Sequence, residues 1–132
     1  MTCQHEESSK KILIVDDEYA IRVLLKTFLE SNHYIVRVAE DVENAFQTFH
    51  QFQPDLVISD IMMPIDTGLS LVARIRNLSP SIKVIYLSAW VDESETETRL
   101  QQELVQHPGY RVIQKPFHLD SFLEIVQGYL EE

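Results

Sequence analysis

The sequence is poor in three things, and each shortage excludes a class of function. Its one cysteine, Cys3, lies in a polar leader (MTCQHEESSK), so neither a disulfide framework nor a cysteine metal pair is available. Basic residues are outnumbered, with 11 Lys and Arg against 21 Asp and Glu and a formal net charge of −10. Gripping a phosphate backbone needs a cationic surface, so direct nucleic-acid binding is not expected and would fall to a partner. No run approaches the roughly eighteen apolar residues that cross a bilayer, and the N-terminus lacks the apolar core of a signal peptide. No membrane association is expected, and a reducing cytoplasm is the expected location. The five histidines, at positions 5, 33, 50, 107 and 118, show no ligand spacing and read as surface or packing residues. Internal repeats and low-complexity linkers are also missing. A chain of 132 residues with 45% hydrophobic content suits one domain, expected over residues 10–132 behind a disordered leader at 1–9.

What the chain does contain is an alternation of apolar period. Short continuous apolar runs at residues 12–15, 35–39, 56–59, 84–88 and 112–114 predict five strands, most of them buried on both faces. Between them run helical stripes. Ile21, Leu24, Leu25, Phe28 and Leu29 predict one core-facing helix; Val42, Ala45, Phe46 and Phe49 predict a second. Leu71, Val72, Ile75 and Leu78 predict a third that stops at Ser79-Pro80, because a residue before proline is pushed out of the α region. A weaker fourth is expected over residues 92–107, with Asp92, Glu93 and Glu95 favouring its positive end, and Leu119, Phe122, Leu123 and Val126 predict the fifth. Strands alternating with helices are the signature of an α/β doubly wound parallel sheet.

Ligands of such sheets bind at the carboxyl ends of the strands, and there the polar residues of this chain gather. Asp16 and Asp17 close the first strand in "KILIVDDEYA", Asp60 the third in "LVISDIMMP", and Ser88 the fourth in "VIYLSA", while Lys115 follows the fifth in "VIQKPF". Three carboxylates in one pocket repel one another unless a cation joins them, and an oxygen-only set suits Mg²⁺ or Mn²⁺. Lys115 and the Ser88 hydroxyl equip the same place for an anion beside the metal. A phosphoryl group fits, since its transfer depends on positioning and charge neutralisation, and Asp60 as nucleophile would yield an aspartyl phosphate.

With these motifs in this order, the chain resembles the receiver domain of two-component response regulators, similar to the single-domain chemotaxis and sporulation-relay proteins, over about residues 10–130. The resemblance implies a flavodoxin-like five-stranded parallel sheet in the order 2-1-3-4-5 with five helices. It implies that Asp60 is the phosphoacceptor, and that Asp16, Asp17, Asp60 and the backbone carbonyl of Met62 hold the metal. Ser88 and Ala89 are then the switch hydroxyl and its small neighbour, and Lys115 pairs with the phosphoryl oxygens. The Lys115-Pro116 bond is one that the family usually holds cis. Gly68 matches the glycine of the loop after Asp60, with Thr67 placed to cap the next helix. Met62 and Trp90 occupy positions that tune hydrolysis of the phosphoryl group.

The implied function is a stand-alone receiver, not an enzyme in the ordinary sense. It would take a phosphoryl group from a histidine kinase or histidine phosphotransfer protein and signal to a downstream effector through its fourth-helix, fifth-strand and fifth-helix face. Since Glu132 lies just beyond the last helix, no attached output domain is expected, and a homodimer through that face stays open. Two departures stand out: Val112 occupies the position that usually carries a rotating aromatic, and the Ser88 to Lys115 interval is longer than usual by roughly one helical turn. They motivate the alternative, a receiver-like module that binds partners without phosphorylation. An aspartate-nucleophile phosphatase usually has a second acid where Met62 stands, and a flavin carrier needs a hydroxyl- and glycine-rich loop where this chain has acids; both fall behind.

Overall fold

In the computed structural model, which describes residues 9–61, 63, 67–89 and 110–132, strands and helices alternate. The order is β1 (Lys11–Val15), α1 (Tyr19–Glu30), β2 (Ile35–Ala39), α2 (Val42–Phe52), β3 (Leu56–Asp60), α3 (Gly68–Leu78), β4 (Lys83–Ala89), β5 (Tyr110–Lys115) and α4 (Leu119–Leu130). All strand pairs are parallel, in the order β2-β1-β3-β4-β5, so the sheet is the expected doubly wound one. Of the five expected helices, four fall among the described residues. The helix expected over 92–107 lies outside them, as do residues 1–8 of the expected leader.

The strand period of two divides the core. Ile12, Ile14, Leu56, Ile58, Ile85, Leu87 and Ile113 face one side and pack against Leu25 and Leu29 of α1 and Phe122, Val126 and Tyr129 of α4. Leu13, Val15, Val57, Val84 and Tyr86 face the other and pack against Ala45 and Phe49 of α2 and Leu71, Val72 and Ile75 of α3. Covered on both faces, β1, β3 and β4 are nearly continuously buried. The edge strands differ: β2 exposes Ile35 and Arg37, and β5 exposes Val112 and Gln114. Leu24, expected on the core face of α1, is 45% exposed, because a step of about 100° from Leu25 carries it onto the flank of the helix.

Local chemistry sets the helix ends. The Asp41 side chain accepts from Asn44 N at 2.7 Å to start α2, and Thr67 accepts from Ser70 N at 3.1 Å to start α3. α2 ends at Gln53 in the left-handed region, φ 53°, and α3 ends at Ser79, just before Pro80.

Candidate functional site

The register of the three central strands places the acids side by side. Val15 lies opposite Ser59, so the next residues, Asp16 and Asp60, leave neighbouring strands at one level. This is where the strand order reverses, with β1 leading outward to β2 and β3 leading the other way. Asp60 in turn lies opposite Leu87, with Ser88 one step further on, and Ala89 lies opposite Lys115. Asp16, Asp60, Ser88, Ala89 and Lys115 therefore share one rim of the sheet.

Asp16 is wholly buried, and each of its polar groups is bonded. Its N–H donates to Ala39 O at 3.2 Å, and its carbonyl accepts from Arg22 Nη1 at 2.8 Å. Its Oδ1 accepts from Glu18 N at 2.9 Å, while its Oδ2 lies 3.2 Å from Lys115 Nζ. Asp17 is exposed beside it, and Asp60 is buried. Carboxylate oxygens of Asp16, Asp17 and Asp60 lie within 4.8 Å of one another. A set of hard oxygen donors this close fits a divalent cation such as Mg²⁺.

Lys115 Nζ sits between the two buried acids, 3.5 Å from Asp60 Oδ2, with Glu18 Oε1 at 3.8 Å. Burial pulls the pKa of this ammonium down, but the negative charges of Asp60, Asp16 and Glu18 outweigh burial and hold it above the ordinary lysine value. The Lys115-Pro116 peptide bond is cis. The Ser88 hydroxyl donates to Ala89 O at 3.3 Å. Met62 and Trp90 lie outside the described residues, and Val112 is exposed on β5, two residues beyond Tyr110, whose ring meets that of Tyr86 at 6.4 Å.

Two residues support the site in ways that the sequence does not show, and Gly68, expected only as the glycine of the loop after Asp60, is the first. A Cβ on Gly68 would lie 2.2 Å from Asp60 O and 2.8 Å from Ser59 Oγ, so α3 can start against the end of β3 only because this residue has no side chain. Gly68 N also donates to Ile61 O at 2.8 Å, tying the start of α3 to the residue after Asp60. The other is Arg22, which is one more basic residue of a helix in the sequence and is drawn to the Asp16 carbonyl only by the fold. Glu18, which follows Asp16 and Asp17 in the sequence, belongs to the environment of Lys115.

Comparison with known proteins agrees with this geometry. A family model for the response regulator receiver domain matches residues 12–127. The chain is 43% identical over 95 residues to the probable transcriptional regulator ycf27 of Guillardia theta, covering 72% of this chain and 37% of that protein. It is 30% identical over 122 residues to sporulation initiation phosphotransferase F of Bacillus subtilis, covering 92% of this chain and 94% of that protein. A CheY-like receiver domain protein from Methanospirillum hungatei superposes with a TM-score of 0.82 at 27% identity, covering 94% and 95% of the two chains. The chain spans 24% to 48% of the length of several transcriptional regulators that it matches. Among the described residues, no helix is long and apolar enough to cross a membrane.

Proposed function

The chain belongs to the response regulator receiver family, and from that premise we propose that it accepts a phosphoryl group on Asp60 from a histidine kinase or histidine phosphotransfer protein. The observation that carries this reading is the convergence of Asp16, Asp17 and Asp60 at the strand ends, with the Lys115 ammonium between Asp16 and Asp60. Asp16, Asp17, Asp60 and the Met62 carbonyl are the proposed ligands of Mg²⁺ or Mn²⁺. When bound, the cation supplies charge neutralisation over the phosphoryl oxygens.

A carboxylate oxygen of Asp60 attacks the phosphorus of the donor phosphohistidine. The new P–O bond forms as the P–N bond breaks, and the imidazole leaves with the electron pair. Lys115, whose ordinary pKa of about 10.4 already keeps it protonated at neutral pH, turns from the carboxylates to a phosphoryl oxygen. The Ser88 hydroxyl moves from Ala89 O to donate to a second phosphoryl oxygen, and the small Ala89 leaves it room. Water later hydrolyses the acyl phosphate, at a rate set by Met62 and Trp90, so the protein is a phosphoacceptor with self-limiting lifetime rather than an ordinary enzyme.

The phosphorylated state shifts an existing equilibrium in a face that includes β5 and α4, which an effector protein reads. Val112 has no ring to rotate there, so the shift is carried by other groups of that face. Residues 10–132 act as one cytoplasmic receiver unit, without direct contact to nucleic acid. The test is the intact mass after incubation with acetyl phosphate, with and without Mg²⁺, beside Asp60→Asn. One Mg²⁺-dependent phosphoryl addition, lost in Asp60→Asn, is expected. No addition, where another receiver is labelled, would point to the phosphorylation-independent binding module.

A further inference from the structure

We propose that Arg22 is a positioning residue for the acids after β1, a role that rests on reading those acids as a divalent-metal site. Through the Asp16 carbonyl it sets the Asp16–Asp17 peptide plane, and with it the direction of Asp17 and the affinity for the cation.

Arg22 lies in the first turn of α1, where its own N–H donates to Glu18 O at 3.1 Å. Its guanidinium turns back over the loop. Nη1 donates to Asp16 O at 2.8 Å, and Nη2 lies 3.8 Å from Glu40 Oε1, beyond the end of β2. The Tyr19 ring lies 5.7 Å from Cζ, and the side chain is only 13% exposed, so the fork is held on several sides.

A carbonyl and the Cα of the following residue share one rigid peptide plane. Fixing Asp16 O therefore fixes where the Asp17 backbone begins, although Asp17 itself is exposed. The carboxylate of Asp16 is already fixed by Glu18 N and Lys115, and its N–H by Ala39 O. Arg22 thus supplies the constraint on the carbonyl side. A cation near a cation site is otherwise unfavourable by Coulomb's law, yet this one is aimed at a carbonyl and a surface glutamate. The geometry favours an arginine, since one N–H donates to the Asp16 carbonyl while the other end of the planar fork stays at ion-pair distance from Glu40, a span that a lysine ammonium does not reproduce.

This role and plain electrostatics give opposite signs, which makes it testable without reference to phosphorylation. Calorimetric titration with MgCl₂ is carried out on the wild type, Arg22→Met and Arg22→Lys, with thermal unfolding in EDTA to establish that each variant is folded. Removing a positive charge beside the acids should tighten Mg²⁺ binding if only charge matters. Positioning instead requires Arg22→Met to bind Mg²⁺ about tenfold or more weakly, the scale for losing a group that orients a metal ligand, with Arg22→Lys between it and wild type. Should Arg22→Met fail to fold, weakened binding by Arg22→Lys supports the role. Either folded variant binding Mg²⁺ as tightly as wild type, or more tightly, overturns it while leaving the metal site standing. A wild type that does not bind Mg²⁺ removes the metal site itself, and the role of Arg22 with it.

Discussion

Lys115 is the residue on which stability and chemistry meet most directly. Its ammonium neutralises two buried carboxylates, and replacing it would leave Asp16, which has no exposed surface, beside Asp60 with no cation between them. Breaking a buried ion pair by removing one partner costs about 3–5 kcal/mol, and with Lys115 16% exposed the low end applies, so Lys115→Met should lose about 3 kcal/mol in urea unfolding. The pH dependence follows from the raised pKa. A lysine that holds its proton more tightly when folded contributes fully below its unfolded value of about 10.4, and the contribution fades as pH rises through the folded value. Wild type should therefore lose more stability than Lys115→Met over that alkaline window, as read by urea midpoints at successive pH values. A parallel decline in both proteins would separate Lys115 from the alkaline transition. The residues that converge here are legible in the sequence as polar endings of apolar runs. The reasons for their supports are not: the bond of Arg22 to Asp16 O, and the close packing against Asp60 O that leaves no room for a side chain at Gly68, depend on elements brought together by tertiary packing, for which a single sequence carries no periodic signal.

Among the elements, α2 shows a local cost that the fold tolerates. Gln53 closes it in the left-handed region at φ 53°, with its N–H donating to Phe49 O at 2.9 Å. An L residue with a side chain pays about 1–2 kcal/mol in that conformation, part of which glycine gives back through its freer unfolded chain. Gln53→Gly should accordingly gain about 0.5–1 kcal/mol, visible as a raised urea midpoint with an unchanged slope, and a loss would contradict the assigned backbone conformation. The helix stripes of the sequence reading identify the packed faces, with Leu25, Leu29, Ala45, Phe49, Phe122 and Val126 all buried. Leu24 and Leu78 fail for different reasons, one turned to the flank of α1 and the other in the last turn of α3, where the sheet no longer covers it. Continuous apolar runs cannot distinguish a central strand from an edge strand, which is why the exposure of Ile35 and Val112 emerges only with the strand order.

For the molecule as a whole, the order β2-β1-β3-β4-β5 turns residues scattered from position 16 to position 115 into one site at the reversal of the sheet. The period of the apolar runs reveals the α/β class, the motif order reveals the family, and only the parallel register shows that Asp16 and Asp60 stand level while Ala89 faces Lys115. The central claim is that Asp60, among 21 acidic residues, is the one that takes the phosphoryl group. Borohydride reduces an acyl phosphate to the alcohol, so treatment of the acetyl phosphate–labelled protein, followed by peptide mass spectrometry, marks the acid that carried it. Conversion at position 60 alone, dependent on Mg²⁺, is the expected result. Conversion at another acid, or none in a protein whose intact mass shows phosphoryl addition, would contradict the assignment.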